Sequence, residues 1–152
     1  GDKKPLPFIE DSVINPKYLD NYLAKNYKIF KKRSVDFSVW GHAGSGNIHV
    51  QPFLDLKNPK DVETLFKIAD EVYKEVIKLK GAVSGEHNDG LMRSPYLKDQ
   101  FGEPLYNLFK EVKKVFDPNN IFNPNKKIGV NLEFVKNCVR PDYIVHVGTG
   151  ST

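Results

Sequence analysis

Two histidines, His42 and His49, stand seven residues apart around a glycine-rich turn, in the segment GHAGSGNIH over residues 41–49. Glu86 and His87 form a second cluster, so that three of the four histidines of the chain lie in two short segments. Neutral imidazoles and a carboxylate are ligands for Zn²⁺, Mn²⁺ or Fe²⁺, and they also serve in acid–base catalysis. The pattern therefore predicts a divalent-metal site with open coordination positions, or an acid–base site in which His87 is the base.

The elements that would position these residues follow the order β-α-β-β-α-β along the chain. Asparagine followed by proline, at 15–16 and at 58–59, marks two helix starts, because asparagine caps free N–H groups and proline suits the first helical position. The predicted strands are 8–14, 35–40, 47–54 and 82–85, and the predicted helices are 16–33, 59–80 and 104–116. This order is typical of an α+β, ferredoxin-like split βαβ sandwich, with an antiparallel sheet, helices on one face and a further C-terminal helix.

The strand alternation also predicts which sheet face carries the histidines. Successive side chains point to opposite faces of a strand, so His42 and His49 should share the face that the two helices leave uncovered. Glu86 is expected on the same face, after the fourth strand. In a simple ferredoxin-like order, however, that strand ends away from the glycine turn, which would put Glu86 too far from the histidines to share an ion. For Glu86 to meet the two histidines around one ion, the fourth strand must pair in a different register or the sheet must be larger.

Composition favours a folded domain without a membrane span. Of the 152 residues, 39% are hydrophobic and 12% aromatic, which is enough for a core and unlike a disordered chain. No apolar run is long enough to cross a bilayer, and no signal peptide is visible. Cys138 is the one cysteine, which excludes an internal disulfide or a cysteine-ligated cluster in this chain and favours a cytoplasmic location. The 23 Lys and Arg against 19 Asp and Glu suit an acidic small molecule or a partner domain as well as nucleic acid.

Two further features follow the second cluster. Arg93 could hold a substrate carboxylate in a bidentate pair, or it could be an ordinary surface arginine. Residues 123–127, NPNKK, form a turn by composition. The stretch 121–152 shows little periodicity, apart from an edge-strand pattern at 139–147.

Three segments resemble, in order, the motifs of the C-terminal substrate domain of FAD-linked oxidases. Residues 41–50, GHAGSGNIHV, are similar to GHAGDGNLHV, residues 85–91, GEHNDGL, to GEHGDGL, and residues 116–126, FDPNNIFNPNK, to FDPxxxxNPGK. Residues 8–11 with Pro16 resemble the segment that opens this half-domain. The resemblance covers residues 6–129, which leaves 130–152 as an irregular tail.

The family resemblance implies a reaction and a set of roles. Members include D-lactate, glycolate and D-2-hydroxyglutarate dehydrogenases, in which hydride passes from a 2-hydroxy acid to a flavin. The roles implied for this chain are metal binding by His42, His49 and Glu86, proton removal by His87, substrate orientation by Gln51 and Arg93, and a return of the chain to the flavin at Asn123.

The same resemblance implies partners. FAD is expected to be bound mainly by a domain of the same parent polypeptide outside these residues, so the chain alone is expected to be inactive. Residues 93–96 and 101–106 look most like the branch that is often fused to an iron–sulfur domain. The parent could be membrane-associated, although neither a membrane span nor a nucleic-acid partner is expected for this chain.

Three positions depart from the family motifs. Ser45 stands where the family usually has aspartate, which removes a charge from the hairpin. Asn88 and Asn125 stand where the family has glycine. Asparagine tolerates the left-handed backbone well, so we expect the two asparagine changes to be mild.

Two other functions fit the predicted fold. One is a non-catalytic module that binds a small molecule or a metal, and an upstream FAD domain in the gene would argue against it. The other is an RNA-binding ferredoxin-like domain, which needs exposed aromatic side chains on the two central strands. The third strand offers Asn47, His49 and Gln51 there instead, which disfavours RNA.

Overall fold

A four-stranded antiparallel sheet carries the glycine hairpin between its two longest strands. The computed structural model describes residues 3–140, and its strands are β1 (Lys4–Pro5), β2 (Ser12–Val13), β3 (Phe37–His42) and β4 (Asn47–Leu54). β4 pairs with β3 along one edge and with β2 and β1 along the other, and Ala82 adds an isolated bridge to Val13 outside β2. The order Ala82, β2, β4, β3 is that of the predicted split βαβ unit, and the α+β class is confirmed.

Helices flank the sheet and follow it along the chain. Within residues 3–140 the α-helices are α1 (Leu19–Lys31), α2 (Pro59–Lys78), α3 (Gly90–Arg93), α4 (Leu97–Phe116) and α5 (Leu132–Asn137). Both predicted helix starts are confirmed, because the Asn15 side chain accepts from the N–H of Lys17 in a 3-10 turn before α1, and Asn58 accepts from that of Lys60. In the described part of the chain, no helix combines the length and apolarity needed to cross a bilayer.

α1 and α2 pack against the sheet and against each other. Phe30 of α1 stacks on Phe37 of β3 with ring centroids 4.3 Å apart. The buried side of α2 consists of Leu65, Phe66, Ile68, Ala69, Val72, Tyr73 and Val76. The hydroxyl of buried Tyr73 donates to the carbonyl oxygen of Phe8 at 2.6 Å. This bond anchors on α2 the segment that leads to Glu10 and Asp11.

Two of the predicted strands are replaced largely by turns. The prediction of a strand over 8–14 was wrong in extent, because Asp11 has a φ of 81° and only Ser12–Val13 is extended and paired. The predicted strand 82–85 contributes only its first residue to the sheet, through the bridge between Ala82 and Val13. By contrast, β4 has the predicted bounds, and β3 begins two residues later than predicted.

The C-terminal half contains more helix than the pattern predicts. α4 begins at Leu97 rather than at residue 104, and Gly102, with a φ of 76°, breaks its helical geometry two residues before Pro104. The short helix α5 was not predicted. Most of the predicted edge strand at 139–147 lies outside the described residues, and its first two residues are not in a strand.

The hairpin geometry gives a stability test at two neighbouring glycines. Gly46 has a φ of 74°, and a methyl group on it would overlap the carbonyl oxygen of Ile14, whereas a methyl group on Gly44 would meet no atom within 4 Å. We expect Gly46→Ala to lower the free energy of unfolding by about 2 kcal/mol or more, through strain and overlap. Gly44→Ala is the matched control and should change it by less than about 1 kcal/mol. Urea unfolding measures both, and equal effects would contradict this hairpin geometry.

Candidate metal and acid–base site

His42 and His49 are neighbours on one face of the β3–β4 hairpin. The register pairs Trp40 with His49 and His42 with Asn47, which makes the two histidines diagonal neighbours across the strands. Their ring centroids are 6.0 Å apart in an edge-to-face arrangement. His49 is buried, whereas the His42 side chain is 67% exposed, so the pair reaches from the interior to the surface.

Glu86 and His87 meet the two histidines at one point. Oε1 of Glu86 lies 3.1 Å from Nε2 of His49, 3.4 Å from Nε2 of His42 and 3.8 Å from Nε2 of His87. The ring of His87 stacks on that of His49, with centroids 5.0 Å apart. The structure thus brings together the three residues predicted to bind metal and places the predicted base beside them.

Asp11 explains how Glu86 reaches the histidines. Its buried carboxylate accepts hydrogen bonds from the Ser84 hydroxyl at 2.6 Å and from the backbone N–H groups of residues 85–87 at 2.9 to 3.0 Å. Because the chain wraps round this carboxylate, it leaves the sheet after Ala82 and turns Glu86 back toward the hairpin. The three predicted ligands therefore meet through this loop rather than through a larger sheet, and the separation that a simple ferredoxin-like order implies does not occur.

The carboxylate of Asp11 is satisfied by these donors. The Nδ2 group of Asn47 adds a further hydrogen bond at 3.1 Å. Burial would raise the pKa of Asp11, but the hydrogen bonds, first from Ser84 and then from residues 86–87, hold it well below its ordinary value. Ligand atoms within 4.8 Å of one another are offered by Asp11, His49, Glu86 and His87. We exclude Asp11 from the metal ligands because five protein donors already occupy its two oxygens.

Glu10 binds the rings of His49 and His87 at Nδ1, on the side opposite Glu86. Its carboxylate accepts from Nδ1 of His49 at 3.0 Å, from Nδ1 of His87 at 2.8 Å and from the guanidinium of Arg93 at 3.1 Å. Burial would raise the pKa of Glu10, but these hydrogen bonds lower it below its ordinary value. An ionised carboxylate can only accept, so Nδ1 of both rings carries a proton, and in the neutral form of each ring Nε2 presents a lone pair toward Glu86.

Electron-pair donors therefore face one another around a small space. The Nε2 atoms of His49 and His87 lie 3.1 and 3.8 Å from the carboxylate oxygen of Glu86, which is a repulsive arrangement unless a proton or a cation lies among them. Histidines that bind metals usually donate their other ring nitrogen to a carboxylate or carbonyl, as these two do to Glu10. The residues present fit a divalent cation.

Gln51, Arg93 and Asn123 occupy three different settings. Gln51 is half-buried in β4, two residues from His49 and so on the same sheet face. Arg93 is buried, and it makes four hydrogen bonds to the carbonyl and carboxylate of Glu10 and to the carbonyl of Asn88. Asn123 lies in an exposed turn beyond α4 with a φ of 49°. Over residues 3–140, no hydrogen bond links Asn123 to the histidine cluster.

Glu10 and Asp11 are the site residues that sequence reasoning missed. The strand predicted over 8–14 and the family resemblance at 8–11 both include these two residues, but neither predicts a role for them. The available signal was the pair of adjacent acids inside the apolar stretch FIEDSVI, because carboxylates are seldom buried unless they are paired.

The departures from the family motifs are accommodated locally. Asn88 and Asn125 have φ values of 65° and 56°, which confirms that asparagine takes the left-handed conformation at these two positions. The hydroxyl of Ser45 donates to the carbonyl oxygen of His42 at 3.0 Å and helps to close the hairpin turn.

The fold and the site define an α+β domain with convergent imidazole and carboxylate groups. The chain belongs to the family of FAD linked oxidases, C-terminal domain, whose family model matches residues 1–127. It is 34% identical over 126 residues to D-2-hydroxyglutarate dehydrogenase of Pantoea ananatis and 32% identical over 123 residues to the glycolate oxidase subunit GlcD of Bacillus subtilis. It is also 28% identical over 125 residues to the mitochondrial D-lactate dehydrogenase (cytochrome) 1 of Saccharomyces cerevisiae.

The similar region is a small part of each relative. The matches cover 83%, 81% and 82% of this chain but 12%, 26% and 21% of the three relatives. The resemblance drawn from the three motifs is confirmed, and this chain corresponds to the C-terminal domain of such enzymes. The domain boundary at residue 129 stays a prediction.

The carboxylate of Asp11 gives a test at acid pH. The pKa of Asp11 is depressed in the folded state. The stability that its charge contributes is therefore present above about pH 3.8, the ordinary pKa of this carboxyl, and is lost as the pH falls below that value. We expect Asp11→Asn to lower the free energy of unfolding by about 2 kcal/mol at neutral pH, because hydrogen bonds to a charged group are lost. The difference in the free energy of unfolding between the wild type and Asp11→Asn should become smaller as the pH falls below about 4.

Urea unfolding of the wild type and of Asp11→Asn at a series of pH values measures this difference in the free energy of unfolding. Asp36→Asn is the control, because Asp36 is an exposed carboxylate immediately before β3 and its neutralisation should change the free energy of unfolding little. A gap for Asp11→Asn that stays constant down to acid pH would show that the charge of Asp11 does not hold the loop.

Proposed function

We propose that this chain is the metal- and substrate-binding domain of a FAD-dependent enzyme that oxidises a 2-hydroxy acid. The observation that carries the proposal is the approach of Nε2 of His42 and of His49 to within 3.4 Å of Oε1 of Glu86, with His87 beside them. The names of the relatives support the class of substrate, since they specify D-2-hydroxyglutarate, glycolate and D-lactate.

His42, His49 and Glu86 are the proposed ligands of Zn²⁺, Mn²⁺ or Fe²⁺. Three protein ligands leave coordination positions open for a chelating substrate. When bound, the cation supplies the Lewis acidity that lowers the pKa of a substrate hydroxyl. Glu10 supports this site by holding Nδ1 of His49, so that Nε2 stays directed at the cation position.

His87 is the proposed base. Its Nε2 lies 3.8 Å from Oε1 of Glu86, the longest of the three imidazole approaches, and its side chain is 49% exposed. The hydrogen bond from its Nδ1 to Glu10 raises the pKa of His87 above its ordinary value and stabilises the imidazolium that forms when Nε2 takes a proton. A carboxylate–imidazole pair of this kind suits removal of the proton from a substrate hydroxyl.

The substrate is proposed to lie on the exposed side of the cluster. His42 and Glu86 are both largely open to solvent there, whereas His49 and Glu10 close the inner side. Gln51, on the same sheet face, can offer its amide to the substrate. A direct contact of Arg93 with substrate stays a prediction. The buried hydrogen bonds from Arg93 to Glu10 support a role in holding the Glu10 carboxylate in place.

FAD is proposed to be bound mainly by another domain of the parent polypeptide. The bound flavin supplies the hydride acceptor, so the chain by itself should not turn over. The cofactor role of Asn123, an associated iron–sulfur domain and a cytoplasmic location all stay predictions. A reading frame without a flavin-binding domain would instead support a non-catalytic metal-binding module.

The fluorescence of the protein's own tryptophan can be used to follow metal binding. Trp40 is the only tryptophan, and its ring centroid lies 6.0 Å from that of His49. We expect Co²⁺ to quench the fluorescence of Trp40, and calorimetry with Zn²⁺ or Mn²⁺ to show about one ion per chain. The double substitution His42→Ala/His49→Ala should weaken binding at least about tenfold, because two ligands are removed.

Glu103→Gln is a control for a substitution outside the histidine cluster that removes a potential metal-binding side chain, since Glu103 is exposed on α4. It should bind the metal as the wild type does. Equal affinity in the wild type and in the histidine double variant would remove these residues from the metal site.

Turnover in the full-length enzyme tests the base. We expect His87→Ala to lower kcat by about 10² to 10⁴, because proton removal from the substrate loses its acceptor. FAD content and metal affinity should be retained, as judged by flavin absorbance and calorimetry. Unchanged turnover would exclude His87 as the base, and loss of metal affinity would make it a ligand instead.

A further inference from the structure

An apolar stripe on α4 faces solvent. Its members, called the α4 stripe below, are spaced by three or four residues and so lie along one side of the helix, as a buried face would. Their exposures are 40% for Leu105, 50% for Leu108, 49% for Val112 and 76% for Val115. Phe116, Ile121 and Phe122, between 67% and 79% exposed, continue the apolar surface beyond the end of the helix.

A different side of α4 attaches the helix to this domain. Tyr106 is buried, and its hydroxyl accepts a hydrogen bond from the N–H of Gly129 at 3.0 Å. The α4 stripe is therefore available to a partner without loss of the contacts that hold the helix. Contiguous exposed apolar surface of this kind marks contacts with other protein surfaces.

We propose that the α4 stripe is the face on which this domain packs against the flavin-binding domain of the same enzyme. The chain covers 12% of the D-2-hydroxyglutarate dehydrogenase and 26% of the glycolate oxidase subunit, so most of a parent of that size lies outside these residues and can cover the face.

A second copy of this chain is a poorer occupant. The four members of the stripe span eleven residues of helix, a rise of about 15 Å, which is shorter than the three to four heptads of a self-associating coiled coil. A tethered domain needs less surface, because the linkage supplies a high effective concentration. The inference rests on the proposed flavin-binding domain, but it is independent of the metal site.

Thiol labelling of the full-length enzyme tests this contact. Val112→Cys is a near-isosteric change in the stripe, and the rate of maleimide labelling at position 112 is read from the mass of its peptide, in a Cys138→Ser background. We expect the rate in the native enzyme to be at least about tenfold lower than in urea, because the position is covered by the second domain. Lys114→Cys is the matched control, since it lies two residues on, about 200° round the helix.

Each outcome decides the inference. Native labelling at position 112 as fast as in urea, or as fast as at position 114, would overturn it. Protection that disappears on dilution of a dimer to monomers would assign the stripe to a second copy and would overturn it as well. A flavin-containing enzyme with a freely labelled position 112 leaves the proposed function intact, whereas a reading frame without a flavin-binding domain removes both.

Discussion

The candidate site depends on two adjacent buried carboxylates whose charges are fully hydrogen-bonded. Burying a carboxylate is unfavourable by several kcal/mol unless donors replace the water it loses. Asp11 is compensated by a ring of N–H and O–H donors from one loop, and Glu10 by two imidazoles and a guanidinium. Both pKa values are lowered despite burial, so both groups stay anionic at neutral pH. The left-handed backbone at Asp11 lets the two side chains serve different partners.

These two anions connect segments that are distant in the sequence. Asp11 shapes the loop that carries Glu86 and His87, and Glu10 fixes the proton on Nδ1 of the inner histidines so that Nε2 is left for a cation or for proton transfer. Lys127, the residue after the C-terminal motif, pairs with Asp89 at 2.6 Å. The first two motifs are thus parts of one hydrogen-bonded assembly, and the third adjoins it through Lys127.

The domain presents two chemically different surfaces. One is the polar sheet face, where His42 and Glu86 are open to solvent beside the exposed ring of Trp40. The other is the α4 stripe, which offers only apolar contacts. In the function proposed above, the polar face would meet the charged small molecule and the α4 stripe would meet the second protein domain.

Local rules alone determined the α+β element order, the bounds of β4 and both asparagine–proline helix starts. The left-handed backbone at Asn88 and Asn125 was expected from the glycines that the family motifs have at these positions. They also placed His42 and His49 on one face, because strand alternation and a short hairpin leave little choice. The return of Glu86 and the roles of Glu10 and Asp11 were decided by tertiary structure, through hydrogen bonds between residues 73 to 77 positions apart. The apolar pattern of α4 likewise predicted a helix but not which side is covered. Periodicity records what each residue prefers to contact, and only the folded chain determines which partner is near enough to satisfy that preference.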